Sequence, residues 1–158
     1  MSEAYASDAP ARFLVARSGA VLCALPIAQV AETMRPLPVE PLGSMPAFVL
    51  GISIIRGVPV PVVDCARLLG AGPGAPGRYL TLKPGGERHV ALAVDAVLGV
   101  RDLAQAAFRE LPPLLREAGA ETLAALSALD AELLVCLHGA RLVPESVYQA
   151  VESGVVRP

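Results

Sequence analysis

The chain is predicted to be an all-β protein of the small barrel or sandwich kind. Three observations carry that expectation. Roughly nine or ten short apolar segments follow one another at tight spacing. Turn residues punctuate them, with 14 glycines and 15 prolines in 158 residues. No run of strands alternates with amphipathic helices, which excludes a parallel βαβ sheet.

The elements follow in chain order. Residues 1–11 are small and polar and are expected to be flexible. Residues 13–17 and 21–25 form a hairpin around Ser18-Gly19. Residues 27–34 read as a bulged strand, because Ile27, Val30 and Met34 fit neither a period of 2 nor one of 3.6. Residues 35–43, RPLPVEPLG, hold too many prolines for a helix or a central strand and form an extended connector. A turn beginning at Pro46 then leads to Gly51, followed by two apolar runs at 52–55 and 58–63 joined by Arg56-Gly57. That is a tight strand–turn–strand, with the glycine available for positive φ. Pro59 and Pro61 lack ladder donors and place the second run at an edge or a bulge.

Residues 65–69 suit one helical turn, and the AGPGAPG stretch at 71–77 a surface loop. RYLTLK at 78–83 alternates as a half-exposed strand, with Tyr79, Thr81 and Lys83 opposite Leu80 and Leu82. A turn at 84–87 leads to HVALAV at 89–94, apolar enough for a central strand buried on both faces. Pro112-Pro113 ends any helix begun near Leu103, and 118–121 is a loose crossing. Residues 123–129 and 133–137 form a last hairpin hinged at 130–132, which Gly139 breaks. Residues 141–151 suit a helix with Pro144 in its first turn and Val147, Tyr148 and Val151 as its apolar stripe. Residues 12–152 are therefore expected to be one domain, with a tail at 153–158.

Charge and composition remove several functions. The net charge is −2, and 12 of the 13 cations are arginines spread without a run, so no nucleic-acid or anionic-membrane footprint exists. No stretch reaches the roughly 18 apolar residues of a membrane span, and the first residues lack a signal-peptide core. A cytoplasmic location is expected. Cys23, Cys65 and Cys136 form no CxxC and read as plain buried thiols.

Catalytic chemistry is thinly supplied. His89 opens an apolar strand, and Ser127 lacks a nucleophile-elbow context. Cys136 and His138 would share a strand face about 7 Å apart, with no third orienting group. The glycine pairs lack a phosphate-loop lysine, and no acidic or histidine cluster has metal-ligand spacing. No cofactor is expected.

The stretch from Met45 to Leu69, with its flanks, resembles the CheW family of chemotaxis coupling proteins. Pro46, Phe48, Gly51, Ile55, Arg56, Gly57, Pro61, Val62, Val63 and Asp64 stand in the register of that family's proline, G-hydrophobic-x-N-L-R-G and V-P-V-V-D pattern. Val30-Ala31-Glu32 matches its V-x-E segment, and Asp95, Val97 and Val100 match its V-D-x-V-x-x-V continuation. The resemblance covers roughly residues 10–150 and implies two packed five-stranded SH3-like barrels.

It also implies a non-enzymatic adaptor that couples a chemoreceptor signalling tip to the regulatory domain of a CheA-type histidine kinase. The docking residues so implied are Val30, Glu32, Gly51, Arg56, Gly57, Asp64, Val94, Asp95 and Val97. The chain departs from the pattern at Ile54, where asparagine is usual, at Cys65 for leucine, at 124–127 for a glycine-containing segment, and at His138. A divergent pathway serving pili, biofilm or second-messenger signalling fits those departures. A small-ligand-binding β-barrel is the alternative reading, and a thiol hydrolase built on Cys136 and His138 a more remote one.

Overall fold

The computed structural model describes residues 10–70, 76–85, 88–104, 123–129, 132–137 and 143–152. Those residues form two five-stranded sheets. The first contains β1 (Pro10–Ser18), β2 (Val21–Pro26), β8 (Ala96–Ala104), β9 (Leu123–Leu129) and β10 (Glu132–Leu137), in the order β8-β1-β2-β10-β9. The second contains β3 (Val30–Met34), β4 (Val49–Ile55), β5 (Val58–Asp64), β6 (Arg78–Gly85) and β7 (Arg88–Val94), in the order β3-β6-β7-β5-β4. The two sheets repeat one plan. In each, a tight hairpin pairs in parallel with the second strand of another hairpin, β2 with β10 and β7 with β5. A helix follows that strand in each case, α1 (Cys65–Leu68) after β5 and α2 (Glu145–Glu152) after β10. This is the SH3-like double-β arrangement expected from the resemblance.

Strand alternation builds the core. Val90, Leu92 and Val94 of β7 point into the seam between the sheets, against Leu14, Ala16, Cys23 and Leu25 of the first sheet. Ala91 and Ala93 point the other way, toward Ile55, Val60, Val62 and Tyr79. Each fully buried Leu or Val contributes about 1.5–3 kcal/mol of transfer free energy. β7 is thus the central strand, buried on both faces, that its composition predicts. Val143, Val147 and Tyr148 bring α2 onto the same seam. Arg88 anchors that helix from β7, forking onto Glu145 at 2.6 Å through both Nη atoms and lying 4.6 Å from the Tyr148 ring centroid.

Three expectations change. Residues 27–34 are not strand throughout: Ile27–Gln29 form a 3-10 turn set up by Pro26 (φ −53), with the Val30 N–H donating to the Ile27 carbonyl. The bulge itself is present, at Val30/Glu32 of β3. β6 is not half-exposed, since Tyr79 and Thr81 are buried along with Leu80 and Leu82. The reason is the proline-rich connector, which lies over the outer face of the second sheet and packs Leu37 and Val39 there. The Tyr79 hydroxyl donates to the Leu37 carbonyl (3.1 Å), and the Ser53 hydroxyl donates to the Pro38 carbonyl (2.8 Å). Glu40 exchanges backbone hydrogen bonds of 2.8 and 2.9 Å with Ile52. Burial raises the Tyr79 phenol above its ordinary pKa. A Tyr79→Phe substitution should therefore cost about 1 kcal/mol in urea unfolding, the net worth of one such hydrogen bond.

β5 as a whole is flanked on both sides, by β4 and β7, rather than lying at an edge. Its prolines nonetheless occupy an edge-like half. The ladder to β7 begins only at Val62, beyond Pro59 and Pro61. On the β4 side Ile55 and Val58 close the hairpin, so alternation turns the Pro59 and Pro61 nitrogens away from β4. The loop at 71–75, the segment 105–122, the hinge residues 130–131 and the stretch 138–142 lie outside the described residues.

Candidate docking site

The β4–β5 turn carries an arginine in an unusual backbone state. Arg56 has φ +52 and Gly57 φ +79, the two positive values that a type I′ hairpin turn needs. For glycine this is free, whereas an arginine there bears a penalty of the order of 1 kcal/mol. The side chain so placed reaches β3. Its Nε donates to Glu32 Oε2 at 3.0 Å and its Nη2 to Oε1 at 3.1 Å, a two-point fork between residues 24 apart in sequence.

Glu32 is aimed by the bulge. Its backbone N–H donates to the Thr81 hydroxyl (3.1 Å), which in turn donates to the Glu32 carbonyl (3.3 Å). The shared hydroxyl fills the gap in the β3–β6 ladder. The pair is solvent-exposed, with side-chain exposures of 76% for Arg56 and 34% for Glu32. The guanidinium has further N–H donors beyond the two that Glu32 uses, so it can take a second acceptor without releasing the first. Ile54 and Val58, on either side of the turn, are 51% and 44% exposed. A charged fork bordered by uncovered aliphatic side chains suits a partner that brings an acceptor beside an apolar stripe.

The pair makes a titration prediction. The hydrogen bonds from Arg56, reinforced by its charge, hold the Glu32 carboxyl below the usual 4.5. Because that pKa is depressed, the pair is fully formed above the ordinary carboxylate value and is lost as pH falls through the lowered one. Carbon-detected NMR should give Glu32 a midpoint under 4.5 that returns toward 4.5 in Arg56→Ala.

The other sequence-implied residues are distributed differently. Val30 is half-buried at the start of β3 and packs on the seam. Gly51 sits at a bulge in β4, where φ is +143. Asp64 is 3% exposed and caps α1, accepting the Arg67 N–H at 3.4 Å with Arg67 Nε 3.6 Å away. Val94 is 1% exposed and belongs to the core. Asp95 stands at the crossover between the sheets: its carboxylate accepts the Gly19 N–H at 2.9 Å and its own N–H donates to the Arg17 carbonyl at 2.9 Å. Val97, opposite Ala16 on β8, is half-buried against the seam. The geometry thus joins Glu32, Arg56 and Gly57 at one surface, while the side chains of Asp64 and Val94 act inside. Ile54 and Val58 are not among the residues the resemblance implies, and their one signal in the sequence is period-2 alternation, which sets Ile54 on the face opposite Ile55.

Burial pushes the Cys136 thiol up to about 11, which keeps it protonated and a poor nucleophile at neutral pH. His138 lies outside the described residues. Among the described residues no group of three or more His, Cys, Asp or Glu is placed to hold a metal, and no helix is long and apolar enough to cross a membrane.

Two five-stranded β-sheets, with an exposed ion pair on the β4–β5 turn, define an SH3-like double-β protein. The chain belongs to the CheW-like family, whose domain model matches residues 12–147. Protein FrzA of Myxococcus xanthus is 33% identical to it over 113 residues, covering 70% of each protein. The crystal structure of the scaffolding protein TtCheW from Thermoanaerobacter tengcongensis shares the fold, with a TM-score of 0.67 at 21% identity over 81% of this chain and 88% of that one.

Proposed function

We propose that this chain is a non-enzymatic cytoplasmic adaptor that couples a chemoreceptor signalling tip to the regulatory domain of a CheA-type histidine kinase. The unit that acts is residues 12–152, its two β-subdomains interlocked through the β7–β8 crossover. The observation that carries the reading is the Glu32–Arg56 fork, held at an exposed turn and bordered by Ile54 and Val58. The guanidinium would take a carboxylate or a helix carbonyl of the receptor hairpin, and the aliphatic side chains its apolar stripe. Val30, Gly51, Asp64, Val94, Asp95 and Val97 would support that face and the kinase-facing surface by setting strand register and the junction between the sheets. Signal would pass through unequal affinity for kinase-on and kinase-off arrangements rather than through any reaction.

A bridging assay tests this. A receptor-tip fragment and a kinase regulatory domain should co-migrate in size-exclusion chromatography only when this chain is added. Failure of the chain to bind either fragment would remove the adaptor reading.

A further inference from the structure

The hydrogen-bonded ladders run within each sheet, and the sheets meet through side-chain packing and the bonds around Asp95. One contact across that seam involves two thiols. Cys23 lies on β2 of the first sheet, and Cys65 is the first residue of α1, directly after β5 of the second. Both are fully buried, and the Cys65 thiol donates to Cys23 Sγ at 3.7 Å. Cysteines 42 residues apart are thus held in contact by elements fixed on both sides. Cys23 is bounded by Ala16 of β1 and Val135 of β10, and Cys65 by the Asp64 cap.

We propose that Cys23 and Cys65 are an oxidisable tie that closes to a disulfide under a hydroperoxide and locks the two sheets together. A disulfide needs its sulfurs about 2.05 Å apart, so two side chains already in contact have to close the remaining separation from 3.7 Å. The chemistry balances with hydrogen peroxide as oxidant. One sulfur attacks the peroxide, the O–O bond breaks, and a sulfenic acid and a water form. The second thiol then attacks the sulfenic sulfur and expels another water. In sum, two thiols and one peroxide give one disulfide and two waters. The hydrogen bond from Cys65, with burial added to it, raises the Cys23 thiol well above its ordinary pKa, so thiolate is scarce and closure is slow. A small neutral oxidant is required, because a glutathione-sized disulfide has no room at a fully buried pair.

The test treats the whole folded chain with excess hydrogen peroxide and maps its peptides without reduction. The expected cross-linked Cys23–Cys65 peptide pair weighs about 2 Da less than its two reduced peptides together, apart from oxygen added at methionine, and the chain melts roughly 5–10 °C higher until dithiothreitol is added. The cross-link should persist in Cys136→Ser and disappear in Cys65→Ala. Three results would overturn the proposal: a disulfide containing Cys136, an adduct about 32 Da heavier at Cys23 or Cys65 signifying sulfinic acid, or an unchanged mass. Because wild-type mapping alone decides among these, a folding defect in either variant leaves the answer intact.

Discussion

Gly51→Ala is expected to lose about 3–5 kcal/mol of stability, nearly as much as a large core truncation. The cause is local and twofold. Gly51 has φ +143, a backbone state that residues with a Cβ rarely adopt. A Cβ built there also runs into the Glu40 carbonyl, backbone against side chain, with no flexible atom able to give way. Relief would require pushing the connector off β4, which breaks the Glu40–Ile52 bonds and uncovers Leu37, Val39 and Tyr79 on the outer face. Urea unfolding should show a lower midpoint, and Tyr79 fluorescence should report its new exposure. A loss below about 1 kcal/mol would mean that the connector does not hold this face closed.

The second large effect is on binding. Arg56→Asn is expected to weaken receptor coupling roughly 10- to 100-fold, the usual cost of removing a charge-assisted fork from an interface. The same substitution should leave the hairpin intact or firmer. Asn-Gly is the favoured type I′ pair, and asparagine tolerates the positive φ that Arg56 now endures. Loss of the exposed ion pair with Glu32 subtracts little from stability. Binding and folding should therefore move apart, or even in opposite directions. A parallel fall in both would show that Arg56 serves the turn and not a partner.

Much of this architecture was legible in the residues. The β1–β2 and β4–β5 hairpins follow from glycine placed between short apolar runs, and β7 from an unbroken run of small and branched residues. The pairing of sheets into two barrels came instead from the family resemblance, because parallel contacts such as β2 with β10 join residues more than 100 apart and leave no local trace. The burial of β6 is hidden from its sequence for a related reason. Tyr79 and Thr81 alternate as a surface would, and only the connector, whose prolines conceal any period, makes that surface an interior.

The candidate site was half legible. Arg56 is conspicuous as a lone cation at a turn, but its fork to Glu32 depends on a bulge that sets β3 against β6, and bulges are weakly written in sequence. Asp64 and Val94, which the resemblance implied as docking positions, have their side chains inside the fold, capping α1 and filling the seam. The contact between Cys23 and Cys65 was invisible, since nothing in their spacing relates one sheet to the other.

The most direct measurement is methyl and amide NMR of the labelled chain titrated with a receptor signalling-tip hairpin. Docking at the Arg56 turn predicts that shifts concentrate on residues 30–34 and 54–58, with the Ile54 and Val58 methyls moving most and the titration midpoint rising roughly 10- to 100-fold in Arg56→Asn. Shifts centred instead on the exposed Leu98 and Val100 of β8, with 54–58 unmoved, would contradict it.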